Sequence, residues 1–208
     1  MLGANELLGD SRFPDVSSIP SSRGDWIETY SGKKFYVLDP RPQDIELDDV
    51  QHALSMLCRF GGHTKKFYSV AEHSINVANR LYFFHGRKLA RFGLFHDASE
   101  AVLVDIPKPI KPYITNYKEI EKKVQEVMYL KFCGMLPSPI EEDYIKRVDT
   151  ELLWIEGYQL MKSSTTIWEN DGSWQHYYPM CFGHRELDCW DPIQAKKEFS
   201  SCFRFHSS

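Results

Sequence analysis

Residues 94–111 read LFHDASEAVLVDIPKPIK. A His-Asp dipeptide, the carboxylates Glu100 and Asp105, and the lysines Lys108 and Lys111 surround an apolar stripe. At helical spacing, His96, Asp97 and Glu100 fall within about one turn and crowd one end of a helix. Crowded carboxylates repel unless a cation or a proton sits among them. The pattern predicts a helix over 88–103, packed through Leu89, Phe92, Leu94, Phe95 and Val102. Pro107, Pro109 and Pro112 then forbid a helix and predict a rigid extended loop that folds Asp105 and the lysines back toward the helix end.

Working outward, more helices appear on each side. Upstream, Ser69-Val70-Ala71-Glu72 has the form of a capping box and opens a helix to about Tyr82, with His73 in its first turn. Before it, Asp48 with Gln51 three residues on predicts another capped start, a stripe of Val50, Ala53, Leu54 and Leu57, and a stop at Arg59-Phe60-Gly61-Gly62. Arg59 at such a C-terminus either complements the helix dipole or binds an anion. Downstream, Tyr117–Phe132 is amphipathic, with Ile120, Val124, Val127 and Met128 inward. After a break at 134–139, a long helix runs from Ile140 or Glu141 to Met161. Asp149 sits in its apolar stripe, a costly place for a carboxylate unless it pairs with Arg147, reaches the surface or binds metal.

The ends differ in character. Residues 1–25, rich in Ser, Pro and Gly, read as a mobile extension. Trp26–Tyr30 and Lys34–Leu38 flank Ser31-Gly32-Lys33 as a β-hairpin, which must lie on the helical body or pair with another chain. Residues 163–190 are loop-like, with a turn at Asn170-Asp171-Gly172. His176, Cys181, His184 and Cys189 invite a zinc reading, but their spacings lack the tight pairs of structural zinc sites. Asp191-Pro192 starts a short last helix with Phe199 and Phe203 to bury. The expected organisation is one all-α domain over 26–162 with a small hairpin, and a tail over 163–208 packed on it.

Bulk properties narrow the function classes. A chain of 208 residues can bury a core, and 42% apolar with 26% charged residues is ordinary for a globular protein. A net charge of −4 excludes a general basic footprint for long nucleic acid. Five scattered cysteines without a CxxC favour a reducing compartment. No apolar run approaches the roughly 18 residues of a membrane span, and no secretory signal is evident, so the expected location is the cytoplasm, that of a host if the gene is a phage's.

His73, the pair His96-Asp97, and Asp149 stand on separate predicted helices, a donor set suited to a divalent cation with positions open for water and substrate. This H…HD…D order resembles the HD-domain metal-dependent phosphohydrolase superfamily. Within it, FYSVAEHS (67–74), HDASEAVLVDIPKPIK (96–111) and the Asp149 helix resemble the 5′-deoxynucleotidase branch and its phage dATP triphosphohydrolase relatives. The resemblance covers about residues 26–161. It implies that His73, His96, Asp97 and Asp149 hold one divalent ion (Co, Mn, Zn or Mg). It implies that Glu100 orients or deprotonates water or protonates the leaving group, and that Asp105 orders the site and reaches the sugar hydroxyl. Arg59, Lys111 and Lys146 are implied phosphate contacts. Phe60 stands where the branch often carries Trp, beside a base that Phe60 or Tyr68 would wall. The implied substrate is a small deoxynucleotide. A dNTP triphosphohydrolase, dATP-preferring, is the main expectation, and a dNMP 5′-deoxynucleotidase the alternative. A non-catalytic nucleotide- or metal-binding module is the alternative of another class. Relatives assemble, so a dimer or hexamer is expected.

Overall fold

Apolar stripes at helical spacing must find partners, and here most of them find each other. The computed structural model describes residues 23–162 and 185–207. A hairpin of β1 (Ile27–Glu28) and β2 (Lys34–Phe35) leads into helices α1 (Leu47–Met56), α2 (Val70–His85), α3 (Arg87–Leu94), α4 (Glu100–Leu103), α5 (Tyr117–Cys133), α6 (Pro139–Leu160) and α7 (Pro192–Ser207), with single 3-10 turns at Pro42–Asp44, Arg59–Gly62 and Lys111–Tyr113. Among the described residues no helix is long and apolar enough to cross a membrane. The expected extension up to residue 22, the turn at 170–172, and His176, Cys181 and His184 lie outside the described residues.

The hairpin is shorter than its apolar runs suggest, pairing only Ile27 with Phe35 and Glu28 with Lys34. It lies on the helical body. Ser31 N–H donates to Asp49 Oδ1 at 2.6 Å, and Tyr30 stacks on His52 at 3.7 Å, both on α1. That same Asp49 caps α1, accepting from the Glu46 N–H at 2.9 Å. The cap therefore sits two residues before the expected Asp48 start, and Gln51 instead donates sideways to Asp48. One carboxylate both starts α1 and anchors the hairpin, a tertiary demand that outweighs the local motif.

α1 stops at Met56, not at the glycines. Arg59 is consequently not at a helix C-terminus. It begins a separate turn in which Phe60 (φ 55°), Gly61 (φ 60°) and Gly62 (φ 80°) are all left-handed. Glycine accepts this conformation freely, whereas phenylalanine is strained in it. The turn is held because Val70 N–H donates to the Leu57 carbonyl and Arg59 N–H to the Tyr68 carbonyl, at 3.0 and 2.9 Å.

α2 opens as its cap requires, with Ser69 Oγ accepting from the Glu72 N–H at 3.1 Å. It continues to His85, past the expected Tyr82, and ends at Gly86 with φ 79°. α3 folds back against it, and Gly93 marks the closest approach: a Cβ there would stand 2.5 Å from Leu81 Cδ1 and 3.2 Å from Val77 Cγ1. α7 is 16 residues rather than short, and packs on α1, α2 and α3. Phe95 joins the elements: it stacks on Phe132 of α5 at 4.7 Å and takes the edges of Phe199 and Phe203 of α7 at 5.6 and 5.5 Å.

Candidate metal and phosphate site

The expected helix over 88–103 breaks at the point where the chemistry sits. After α3 ends at Leu94, residues 95–99 form a tight turn with bonds spanning three residues, such as Ala98 N–H to Phe95 O at 3.1 Å and Glu100 N–H to Asp97 O at 3.0 Å. Gln125 of α5 clamps this turn. Its Nε2 donates to the Phe95 carbonyl at 2.6 Å and its Oε1 accepts from the Ser99 N–H at 3.0 Å. A carbonyl and an N–H released by the break are thereby satisfied inside the protein. His96 and Asp97 thus project from a turn, and neither lies in a helix.

Four donor groups converge there from three elements. His73 Nε2 lies 3.2 Å from His96 Nε2, 3.2 Å from Asp149 Oδ1 and 3.6 Å from Asp97 Oδ2. His96 Nε2 lies 3.2 Å from Asp97 Oδ2 and 3.8 Å from Asp149 Oδ1. The tightest cluster is His73, His96 and Asp97, whose ligand atoms all fall within 4.8 Å of one another, with Asp149 closing one side. Ligands about 2.0–2.2 Å from a common cation stand roughly 3–3.5 Å apart, so the spacing fits a shared ion.

The protons give a second test of that fit. His73 Nδ1 faces Glu156 Oε1 at 2.6 Å and His96 Nδ1 faces the Gly93 carbonyl at 2.7 Å. Both partners only accept, so each Nδ1 carries a hydrogen and Nε2 is the nitrogen turned inward, a lone-pair ligand whenever the ring is neutral. Burial lowers both imidazoles' pKa, but Glu156 and Asp149 around His73, and Asp97 and Asp149 around His96, raise them on balance, so a proton or a metal ion must sit between the rings and the carboxylates. A divalent cation satisfies that arrangement.

Arg59 adjoins this cluster, with Nη1 3.6 Å from Asp97 Oδ2 and Nε donating to Glu156 Oε2 at 3.0 Å. It is only 8% exposed. Burial disfavours its charge, but Glu156 and Asp97 hold it positive. Phe60 lies beside it, 5.6 Å from the guanidinium to the ring centre. Tyr68 does not offer a wall for a base: it is fully buried, with its hydroxyl donating to Glu156 Oε1 at 2.8 Å.

Glu100 is buried, and among the described residues its Oε2 has no hydrogen-bond partner. Burial first, then the charges of Asp97 and Asp105, push its carboxyl well above the usual range. Asp105 follows Val104, whose φ of 61° is an outlier for a β-branched residue and turns the chain sharply. Burial raises the Asp105 carboxyl as well, with Arg59 and Lys111 opposing. Lys111 opens a 3-10 turn where an extended loop was expected, and pairs with Glu121 at 2.6 Å. Lys146 is exposed on α6 and lines a cleft of about 280 Å³ with His96, Asp149, Gln125 and Tyr129. The alternative partner for Asp149, Arg147, pairs instead with Asp143 at 3.2 Å.

Glu156, Gln125 and the hydroxyl of Tyr68 are the components that sequence reasoning misses. Glu156 left one trace: it follows Asp149 by seven residues, about two helical turns along one face, directly after Ile155 of the apolar stripe. Gln125 left none, because its partners are backbone atoms of a turn that the helical pattern conceals.

Comparison with known proteins is consistent with this geometry. A model of the YfbR-like 5′-deoxynucleotidase family matches residues 52–167, a span containing Arg59, His73, His96, Asp97 and Asp149. The uncharacterized protein YfdR of Escherichia coli is 35% identical over 143 residues, covering 69% of this chain and 76% of that protein. An uncharacterized protein of Rhodobacter capsulatus is 35% identical over 143 residues, covering 65% and 72%. A 5′-deoxynucleotidase of Photobacterium profundum is 30% identical over 111 residues, covering 48% and 57%. By the extent of these matches, the chain belongs to the YfbR-like 5′-deoxynucleotidase family of HD-domain metal-dependent phosphohydrolases.

Proposed function

We propose that the protein removes the phosphate from deoxynucleoside 5′-monophosphates, and that His73, His96, Asp97 and Asp149 hold the divalent ion it uses. The observation that carries this reading is the convergence of two inward-facing Nε2 atoms and two carboxylates beside a buried arginine. A divalent ion there supplies Lewis acidity toward phosphate oxygens and lowers the pKa of water toward about 7. Arg59 and Lys111 hold the phosphate and draw charge from it as the ester bond breaks. Glu100, whose carboxyl burial and then the charges of Asp97 and Asp105 hold well above the usual range, is the group suited to donate a proton to the departing 5′-oxygen. Asp105, turned inward by Val104, orients the sugar. Lys146 guards the open rim of the cleft, and Phe60 offers the base a face beside Arg59.

A monophosphate is favoured over a triphosphate because relatives such as the Photobacterium profundum protein carry the name 5′-deoxynucleotidase.

A panel of dNMPs, NMPs and dNTPs assayed with Co, Mn, Mg and Zn tests the reading. Inorganic phosphate should appear from dNMPs. Tripolyphosphate from dNTPs would replace this reading with the triphosphohydrolase, and no turnover with any of the four metals would overturn it.

A further inference from the structure

Glu156 is fully buried on α6 and uses both carboxylate oxygens. Oε1 accepts from His73 Nδ1 at 2.6 Å and from the Tyr68 hydroxyl at 2.8 Å, and Oε2 accepts from Arg59 Nε at 3.0 Å. Asn76 Nδ2 donates to the same Tyr68 hydroxyl at 3.0 Å, which leaves that hydroxyl's own proton for Glu156. The three donors come from α2, from the segment before it and from the left-handed turn at 59–62, so local chain geometry does not hold them together.

We infer that Glu156 is a positioning residue for both halves of the site: it fixes the His73 tautomer that turns a bare Nε2 to the metal, and it aims Arg59 at the phosphate. This rests on the phosphohydrolase reading above. The need for a carboxylate follows from counting acceptors. His73 requires an acceptor at Nδ1, because a hydrogen on Nε2 would abolish its ligand lone pair. Arg59 requires an acceptor at Nε, because a guanidinium buried without a counter-charge is severely penalised. A single group that meets both needs must accept at both ends. Glutamate does so, and glutamine of the same shape has only one oxygen. An ion pair kept only for stability would have no reason to reach a metal ligand through one oxygen and a phosphate-facing arginine through the other.

Glu156→Gln therefore has to sacrifice one half. With two donors at the Oε1 position, the amide oxygen should stay with His73 and Tyr68 and the NH₂ should turn on Arg59. Inorganic phosphate, titrated calorimetrically into the full chain, should then bind at least about tenfold more weakly, with Co²⁺ affinity, followed by visible absorption, within about threefold of the parent. If the amide sits the other way, Co²⁺ affinity should fall about 10–100-fold, the range seen when an outer partner of a metal ligand is lost. Either split supports the inference. Glu156→Asp, which keeps two acceptor oxygens on a shorter arm, should recover part of whichever affinity is lost. Unchanged affinities for both probes in Glu156→Gln would overturn the inference. Should that variant not fold, Tyr68→Phe carries the test: it leaves Oε1 held by His73 alone, and Co²⁺ affinity should drop by at least about threefold, with an unchanged affinity overturning the inference. Neither probe requires turnover, so failure here and failure of the nucleotidase reading are separately visible.

Discussion

Asp149 shows what one side chain contributes beyond packing. It is 38% exposed and sits 3.2 Å from His73 Nε2, while its neighbour Arg147 is engaged with Asp143. The surrounding stripe of Ile145, Val148, Leu152 and Ile155 is buried without its help. The apolar packing of α6 therefore gains little from the carboxylate, whose proposed role is to hold the metal ion. Asp149→Ala should weaken Mn²⁺ or Co²⁺ binding by at least about 100-fold, with the metal-free thermal midpoint moving by only a few degrees, on the order of 1 kcal/mol or less. Calorimetry and a melting curve on the same sample check both halves. A large loss of stability with metal affinity retained would make Asp149 a structural residue. Asp97 is a less clean choice, because it also faces Arg59 at 3.6 Å and its loss leaves a buried cation short of a partner.

At the scale of elements, Glu72 links the last segment of the chain to the site. Its position suggests half of a capping box, but the cap is made by Ser69 alone, and the Glu72 carboxylate instead accepts from the backbone N–H groups of Cys189 and Trp190, both at 2.8 Å. Gln159 of α6 adds a second clamp, accepting from the Leu187 N–H at 2.9 Å. Burial pushes the Glu72 carboxyl up to about 7, against those two N–H groups, so the segment is docked onto a carboxylate that burial makes costly to ionise. Glu72→Ala should leave the start of α2 intact, since the Ser69 cap uses only the residue 72 backbone. The amides of Cys189 and Trp190 should exchange with solvent at least about tenfold faster, equivalent to about 1.4 kcal/mol or more of lost local protection. Hydrogen exchange resolved to those two amides checks this. Equal loosening of α2 would mean that Glu72 caps its own helix after all.

Across the whole molecule, the site depends on how closely α2 and α3 approach, because His73 rides on the first and the His96-Asp97 turn follows the second. Gly93 sets that distance. Alanine in its place would gain about 1 kcal/mol of helix propensity. Against this, its Cβ would meet Leu81 Cδ1 at 2.5 Å, Val77 Cγ1 at 3.2 Å and the Ala78 backbone at 3.4 Å. Leu81 and Val77 are fully buried and have little room to yield, and overpacking of this kind costs about 1–3 kcal/mol. Crowding should win, and Gly93→Ala should lower the urea midpoint by an amount equivalent to about 0.5–2 kcal/mol at unchanged slope. A raised midpoint would mean that the two helices part freely. Part of this architecture is legible without coordinates. The stripes of α1, α2, α5 and α6, and the Ser69 cap, follow from spacing alone. The break at 95–99 is not legible, because Leu94, Phe95 and Val102 continue a helical period through it and the groups that stabilise the break belong to Gln125, 30 residues from Phe95.

What the sequence determines by itself is the list of participants. Two histidines and two aspartates in the order H…HD…D, carried on amphipathic segments, are a property of spacing and residue type, and together with the family resemblance they carry they point to an all-α protein with a metal site. What only the tertiary structure decides is protonation and aim. The nitrogen that His73 turns toward His96 and Asp149 is the one opposite its hydrogen bond to Glu156, 83 residues away, and Arg59 is held by the same carboxylate, 97 residues away. A hydrogen bond of this kind is set by a distance of about 3 Å in space and leaves no periodicity in the chain. For that reason the converging histidines and aspartates can be read from the sequence, and the carboxylate that joins His73 to Arg59 becomes visible only when the helices are packed.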